Sequence, residues 1–187
     1  MTTAYFALLV LVGLGRLIEL RISRRNQQKL EKLGVRKITE PHFRWMVFTH
    51  ASVFACAAAE VLLLHRPLIP LLAITMAAVF VLANALRWWV IRTLAGHWNV
   101  EVMASSQVGV VTSGPYRWVR HPNYVAVVME LFSLPMIHTA WITALAGTLA
   151  NMEILRRRLR VEEGVLMADP TYRATMGEKP RFLPGLF

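Results

Sequence analysis

A dense cluster of polar, aromatic and proline residues runs from Gly114 to Tyr124, immediately before a long apolar stretch. From Val125 to Asn151 that stretch contains a single charged residue, Glu130. Polar groups at the edge of a membrane segment are costly unless they bind something, so they mark a candidate site. The side chains that suit a ligand with a carboxylate and an aromatic ring are Tyr116, Arg117, Arg120, His121 and Tyr124. A juxtamembrane anchor of basic and aromatic side chains explains the same residues equally well as a ligand site does.

A second polar cluster, Arg156 to Glu163, lies just beyond the same apolar stretch. Arg158 and Glu162 are four residues apart, so on a helix they can form an ion pair worth roughly 0.3–0.5 kcal/mol at the surface. Taken alone, that surface pair is the favoured interpretation. A glutamate here could also accept hydrogen bonds from ribose hydroxyls or an amine. If the apolar stretch crosses a membrane and returns, the two clusters meet on one side of it.

The composition is that of a membrane protein. Of the 187 residues, 56% are hydrophobic and only 17% are charged, and the mean hydropathy is +0.44, too apolar for a typical soluble domain. The net charge of +10 sits at the ends of apolar runs, which indicates membrane topology rather than nucleic-acid binding. The single cysteine, Cys56, cannot form an intrachain disulfide, and no spacing of histidines and carboxylates predicts a metal site.

Four apolar stretches are candidates for membrane helices, each of which needs about 20 mainly apolar residues. They are Thr3–Leu20, Trp45–Leu64, Leu68–Ile91 and Tyr124–Leu155. The last is long enough to cross and return, and Pro135 inside it predicts a helix break, with helices near 124–134 and 136–155. We therefore predict an all-α integral membrane protein of about five transmembrane helices, the last two a hairpin, followed by a helical C-terminal segment.

The basic residues orient these spans. Residues 21–44 carry eight Lys or Arg and two Glu, which predicts a cytoplasmic segment. The turn 65–67 holds Arg66, the one basic residue of 21 that this arrangement places outside. The N-terminus is thus expected outside, and both polar clusters are expected in the cytoplasm. We predict a single domain, with three N-terminal spans in residues 1–91 and a catalytic part in residues 92–187.

Charged residues within the spans need individual explanations. A carboxylate at the bilayer centre costs roughly 2.5–3.5 kcal/mol on insertion scales, so Glu130 should be paired, be protonated or face an active site. We keep it as a candidate catalytic residue. Arg16, Glu19 and Arg87 lie near cytoplasmic ends, where snorkelling of their side chains would explain them. Two other polar residues of the second span are expected to face neighbouring helices: His50 and Glu60.

The two clusters, in this order around a hairpin, resemble the isoprenylcysteine carboxyl methyltransferase family. The matching residues are Gly114-Pro115-Tyr116, Arg120-His121-Pro122-Asn123-Tyr124, Arg158-Leu159, Glu162-Glu163, Leu166, Tyr172 and Arg181-Phe182-Leu183-Pro184. Near the N-terminus, Arg16–Leu20 and Ser23–Asn26 resemble a short bacterial branch, so the resemblance covers nearly the whole chain. Ala126 and Met176 depart from it, because the family often has glycine and tyrosine there.

The resemblance implies a membrane enzyme that binds S-adenosylmethionine in a cytoplasmic pocket formed by the hairpin and the C-terminal segment. His121, Tyr124 and Glu163 would line the pocket, with Arg158 or Glu162 supporting them. The full set of implied cofactor-binding residues is Tyr116, Arg120, His121, Pro122, Tyr124, Arg158, Glu162 and Glu163. A lipophilic acceptor would enter sideways from the bilayer.

The acceptor decides which catalytic groups are needed. A carboxylate is already a nucleophile near pH 7 and needs a cation to place it, for which Arg173 or Arg181 are candidates. A phenol or enol would instead benefit from a nearby base. The resemblance thus implies O-methylation of a prenylcysteine carboxylate or of a long-chain polyketide hydroxyl, such as an alkylpyrone or alkylresorcinol. The other classes left open are a membrane NADPH-dependent lipid reductase, which carries a similar Arg-His-Pro-x-Tyr element, and a noncatalytic scaffold.

Overall fold

The computed structural model describes residues 2–38, 42–104 and 109–183, which are mainly helical, as the sequence predicts. The helices are α1 (Thr2–Lys32), α2 (Phe43–Leu63), α3 (Pro70–Leu94), α4 (Pro122–Met136), α5 (Trp141–Leu166) and α6 (Pro170–Met176). Two short 3-10 helices, Ala95–His97 and Gly114–Arg117, precede α4. The two-residue strands β1 (Arg36–Lys37) and β2 (Met103–Ala104) pair antiparallel and tie the loop after α3 to the end of α1.

Three of the described helices are long and apolar enough to cross a membrane: α1, α2, and α3 with the 3-10 turn that follows it. They coincide with the first three predicted spans. Helix α4 has 15 residues, or about 22 Å, against a hydrocarbon core of about 30 Å. Helix α5 has 26 residues, but its last third is charged. The passage of this pair through the bilayer therefore stays a prediction.

Helices α4 and α5 form the predicted hairpin, but its turn comes later than expected. Pro135 lies in the last turn of α4, and the chain reverses at residues 137–140. The Pro135 carbonyl accepts hydrogen bonds from the amides of His138 (3.2 Å) and Ala140 (3.1 Å), which closes this turn. Proline lacks a backbone N–H donor but keeps its carbonyl acceptor. The helix therefore ends at Met136, one residue after Pro135. Helix α5 continues beyond Leu155 to Leu166, so the second polar cluster is helical.

The polar residues of α2 face other helices, as predicted. Glu60 accepts hydrogen bonds from the backbone amides of Ile142 (3.2 Å) and Thr143 (2.8 Å) at the start of α5. Helix α5 has no side-chain cap of its own, so this carboxylate satisfies the unpaired amides of its first turn. His50 Nε2 lies 3.2 Å from Asn151 Oδ1, also on α5.

Helix α1 contacts the rest of the protein at both ends of the bundle and, between them, through Arg16 and Glu19. At the hairpin end of the bundle, defined by the turns 64–69 and 137–140, a buried cluster joins α1 to α2, α3 and α4: Tyr5, Leu9, Ala57, Val61, Phe80 and Leu134. At the motif end, defined by residues 114–124 and 156–166, Asn26 Nδ2 donates to the carbonyls of Ala95 (2.9 Å) and Trp98 (2.8 Å). A cavity occupies the space between α1 and the other helices.

Candidate functional site

The cavity has a volume of about 720 Å³, within the range of small-molecule sites, and every helix contributes to its lining. Its lining is polar at the motif end. Where it runs between α1 and α2 it combines apolar side chains with Arg16, Glu19, His50 and Arg87. The polar lining includes Tyr116, Arg120, His121, Asn123, Tyr124, Arg158, Glu162 and Tyr172. The apolar part is lined by Gly13, Leu20, Val47, Ala51, Phe54 and Val127. A molecule with one polar and one apolar half matches this division.

Six of the eight predicted cofactor-binding residues line this cavity: Tyr116, Arg120, His121, Tyr124, Arg158 and Glu162. Pro122 and Glu163 are not among its lining residues. Pro122 is fully buried as the first residue of α4, where its fixed backbone angle starts the helix. Glu163 points to the far side of His121. The two glutamates therefore exchange the places implied by the resemblance, because Glu162 lines the cavity and Glu163 supports it from behind.

Local backbone geometry sets the orientation of His121. Its φ of −126° and ψ of 58° lie outside the helical region, as expected for a residue before proline. The imidazole stacks on the Tyr124 ring with 5.3 Å between centroids and 10° between planes. The His121 amide donates to the Arg181 carbonyl (2.9 Å), so the described part of the C-terminal segment folds back onto the start of α4. Pro184 of the family-like motif lies outside the described residues.

Tyr124 links α4 to the polar face of α5. Its hydroxyl donates to the Glu162 carboxylate and accepts from Arg158 Nε at 3.1 Å. Arg158 in turn donates to the Val100 carbonyl in the loop after α3. Arg158 and Glu162 thus both belong to a network around the cavity. The surface ion pair favoured by the sequence alone is the wrong interpretation of Arg158, because its side chain is buried.

Glu163 holds the back of the site together. It lies 3.2 Å from His121 Nε2, 3.3 Å from Arg120 Nη1 and 2.7 Å from Arg181 Nη2. Burial alone would raise its pKa, but the hydrogen bonds from His121 and Arg181 and the charge of Arg120 lower the pKa of Glu163 to about 2. A carboxyl group whose pKa is lowered by folding stabilises the fold at pH values above its unfolded-state pKa. That contribution to stability is lost as the pH falls toward 2. These contacts therefore persist throughout the neutral range.

Two cavity tyrosines remain protonated donors at neutral pH. Burial raises the pKa of Tyr172 to about 12, with a smaller contribution from the negative charge of Glu162. Burial also raises the pKa of Tyr116 well above its usual value, again with a contribution from Glu162. Both rings can therefore offer an apolar face and a hydroxyl donor to a bound molecule.

The three predicted catalytic residues do not line the main cavity. Arg181 is about half exposed and pairs with Glu163 behind the site, and Arg173 is exposed on α6. Glu130 lines a separate small void of about 30 Å³. The short helix α6 turns Arg173 outward, whereas Tyr172 and Met176 on the same helix line the cavity. Met176, where the family often has tyrosine, thus lines the cavity.

A charge network in the membrane part of the cavity was not anticipated as part of the site. Glu19 accepts two hydrogen bonds from Arg87, at 2.7 and 2.8 Å, and two from Arg16, also at 2.7 and 2.8 Å. Glu130 lies 2.9 Å from Arg16 and 3.6 Å from Arg87. Glu19 and Arg87 are 3% and 6% exposed, so snorkelling is the wrong explanation for them. The sequence signal that could have indicated this network was Arg87 inside an apolar run, because a charged residue in a membrane segment marks a functional position by default.

Four buried polar atoms of cavity-lining residues lack a hydrogen-bond partner within the described ranges. They are Trp98 Nε1, Asn99 Oδ1, Arg120 Nε and Asn123 Oδ1. Buried polar groups are nearly always paired, and an unpaired one costs about 1–3 kcal/mol. Two of these atoms are donors and two are acceptors. A ligand that carries both anionic or carbonyl oxygens and hydroxyl or amine donors would satisfy them.

Gly114 sets the path of the 3-10 helix that carries Tyr116. Its φ is +57°, and an added Cβ would lie 2.4 Å from Thr93 Oγ1 on α3. We expect Gly114→Ala to lower the free energy of unfolding by about 1–3 kcal/mol, because it adds both strain and a clash. Gly164→Ala on α5 is the matched control, since its methyl group meets nothing within 4 Å and alanine favours a helix. Thermal unfolding in detergent tests this, and equal melting temperatures for the two variants would contradict it.

Comparisons with known proteins converge on one family. Residues 71–168 match the sequence profile of the isoprenylcysteine carboxyl methyltransferase (ICMT) family. The chain is 31% identical over 163 residues to the uncharacterized protein YpbQ of Bacillus subtilis strain 168, covering 87% of this chain and 96% of that protein. It is also 31% identical over 90 residues to an uncharacterized protein of Haemophilus influenzae, covering 48% of this chain and 52% of that one.

The fold is similar to that of a solved membrane enzyme. The structure of the eukaryotic intramembrane Ras methyltransferase ICMT matches with a TM-score of 0.55 and 23% sequence identity. The match covers 74% of this chain but only 52% of that one, so the chain spans about half the length of the solved enzyme. At this identity the similarity concerns the fold.

Proposed function

The chain belongs to the isoprenylcysteine carboxyl methyltransferase family, and we propose that it transfers a methyl group from S-adenosylmethionine to an oxygen atom of a lipophilic acceptor. Family and fold make it an integral membrane methyltransferase. The cofactor, the acceptor and the residues that bind them are the proposed part.

One observation carries the proposal: a single cavity joins a polar end, where buried donors and acceptors lack partners, to an apolar end between membrane helices. S-adenosylmethionine carries a carboxylate, an amine, ribose hydroxyls and an adenine ring. Arg120 Nε could donate to its carboxylate, and the oxygens of Asn99 and Asn123 could accept from hydroxyl or amine groups. The residues present therefore fit this cofactor.

Binding and orientation are the main tasks of the protein in such a reaction. The bound cofactor would supply an activated methyl group, and positioning it in line with the acceptor oxygen accounts for much of the rate. Tyr116, His121, Tyr124 and Glu162 would hold the cofactor at the motif end. Glu163 would act indirectly, by fixing His121 and Arg120.

The acceptor would occupy the apolar part of the cavity. Val47, Ala51 and Phe54 of α2 face Gly13 and Leu20 of α1 across it, so a long apolar chain could remain in contact with lipid while its head group reaches the cofactor. The family's name points to a prenylcysteine carboxylate. The second candidate is a hydroxyl group of a long-chain molecule, because Arg16 and Arg87, the arginines beside the apolar part of the cavity, are already paired with Glu130 and Glu19.

We further propose that α4 and α5 complete a five-helix membrane domain with the N-terminus outside and the motif end in the cytoplasm. The basic residues support this arrangement and the predicted division at residue 92, because it leaves Arg66 outside and the other 20 Lys and Arg inside or within the spans. It would expose the cofactor end of the cavity to the aqueous side where S-adenosylmethionine is available.

The melting temperature of the detergent-purified protein with S-adenosylhomocysteine, with NADPH or with neither tests the cofactor. We expect a rise with S-adenosylhomocysteine alone, since a ligand at 100 times its Kd stabilises by about 2.7 kcal/mol. Glu163→Ala should reduce the rise, because Arg120 and His121 lose their shared anchor. A rise with NADPH alone, or with neither ligand at millimolar concentration, would contradict the proposal.

A further inference from the structure

His50 is a base at the acceptor end of the cavity that the proposed cofactor site does not use. It lies on α2, two turns inside the membrane span, and lines both the main cavity and the adjoining small void. Its hydrogen-bond partner Asn151 precedes Arg158 on α5 by seven residues, or about 10 Å. Val127 and Leu155 line the cavity between these two levels. His50 is thus one layer away from the polar residues, on the side open to an apolar acceptor.

The contact with Asn151 bears on which imidazole nitrogen is basic. Asn151 is fully buried, and its side-chain oxygen lies 3.2 Å from His50 Nε2. When that oxygen accepts, Nε2 carries the proton and Nδ1 keeps its lone pair. Within the described part of the chain Nδ1 has no hydrogen-bond partner. It is therefore available to a molecule in the cavity that His50 lines.

The charges of the cavity favour an acceptor that enters without a charge. Arg16 and Arg87 share Glu19 and Glu130, and Arg120 is bonded to Glu163. Arg158 donates to the Tyr124 hydroxyl and the Val100 carbonyl. At the level of His50 the charges of Arg16 and Arg87 are balanced by Glu19 and Glu130, so a carboxylate would lose its hydration there without an excess cation to hold it. A hydroxyl would bring none, but it needs a base.

We propose that His50, oriented by Asn151, is the catalytic residue that accepts the proton of a hydroxyl group on the lipophilic acceptor. As the new oxygen–methyl bond forms, the methyl–sulfur bond breaks and its electron pair stays on sulfur. The hydroxyl proton goes to Nδ1 of His50, and water later removes it. Asn151 is a positioning residue, because it acts through the imidazole. This inference rests on the proposed methyl-transfer function and narrows its acceptor to a weakly acidic hydroxyl.

The test compares two probes that differ in the reacting group: 5-pentadecylresorcinol, which offers a hydroxyl, and N-acetyl-S-farnesylcysteine, which offers a carboxylate. For the resorcinol we expect His50→Gln to lower kcat by about 10²- to 10⁴-fold at neutral pH, the usual contribution of a general base. The deficit should shrink as the pH rises, because the phenol then ionises in solution. Ser52→Ala, a half-buried polar change on the same helix away from the cavity lining, should retain the wild-type rate.

The charged groups around His50 must be kept in mind when this pH profile is read. They are Arg16 and Glu19 of α1, Arg87 of α3, Glu130 of α4 and Arg158 of α5. None of them is altered in His50→Gln, so a pH-dependent difference between this variant and the wild type would come from the imidazole.

The outcomes separate this inference from the proposed function. If S-adenosylhomocysteine stabilises the protein but the resorcinol rates of wild type and His50→Gln agree within twofold, the role of His50 is wrong. Methylation of the farnesylcysteine alone would also overturn it. If S-adenosylhomocysteine fails to stabilise the wild type and neither probe is methylated, the proposed function itself fails, and this inference with it.

Discussion

Glu19→Ala is expected to lower the free energy of unfolding by about 3–5 kcal/mol, or to prevent folding in detergent altogether. Glu19 is 3% exposed and accepts hydrogen bonds from both Arg16 and Arg87. Its removal leaves the 3.6 Å contact to Glu130 as the nearest carboxylate contact of the buried Arg87 among the described residues. An arginine without a nearby negative charge inside a membrane span is among the most costly groups a helix can carry. Thermal unfolding monitored by circular dichroism measures the change.

Glu153→Ala provides the matched control, because the chemical change is the same at an exposed position. Glu153 pairs with Arg156 and Arg157 on the surface of α5, where ion pairs contribute little. Glu19→Gln should fall between the two, since an amide keeps one acceptor and loses the charge. Equal stability of Glu19→Ala and Glu153→Ala would show that Arg16 and Arg87 find water or lipid head groups instead. The buried network would then be wrong.

Glu162→Gln should reduce the stabilisation by S-adenosylhomocysteine from about 2.7 kcal/mol to about 0.4–1.4 kcal/mol and lower methyl transfer by roughly tenfold to a hundredfold. The Glu162 carboxylate lines the cavity and accepts the hydrogen bond of the Tyr124 hydroxyl. Hydrogen bonds to charged groups contribute about 1.5–3 kcal/mol, which corresponds to this range. Glutamine has the same shape, and the side chain is 25% exposed, so the fold should persist. Ligand-induced melting shifts and a radiolabelled methyl-transfer assay measure the two effects.

Two comparisons make this prediction specific to the cavity. Glu153→Gln, on the same helix but exposed, should change neither quantity. Glu163→Gln should mainly weaken the contacts with Arg120 and Arg181, and so reduce cofactor affinity less than Glu162→Gln. If Glu163→Gln proves the more damaging variant, the family-derived expectation that Glu163 lines the pocket would be favoured over the geometry.

The helices and the turn chemistry were accessible from the sequence because they depend on local rules. Apolar runs of about 20 residues place α1, α2 and α3, and Pro122 starts α4 while it turns His121 out of the helix. Pro135 predicted a break but not its position, since the carbonyl that closes the turn at residues 137–140 depends on where α5 packs. The end of α5 was also missed, because hydropathy does not register a helix that continues beyond the apolar run.

Most residues predicted for the polar end of the cavity line it, whereas those of the other end were not anticipated. Two clusters of chemically distinctive residues lie within short stretches on either side of one hairpin, so their meeting follows from the topology alone. Arg16, His50 and Arg87 lie on three different helices, and nothing in their spacing indicates that they share a cavity. Arg173 and Arg181 were chosen by charge alone, and the direction of their side chains depends on how α6 and the C-terminal segment pack.

By itself the sequence determined a membrane-embedded helical protein, its family and the polar residues of one end of a cavity. These follow from hydropathy, charge placement and motif chemistry, which need no knowledge of distant contacts. Only the tertiary structure decided that Glu162 lines the cavity while Glu163 supports it, and that Glu130 pairs with Arg16. The physical reason is that adjacent residues on a helix point about 100° apart, so packing alone selects which one faces a neighbour.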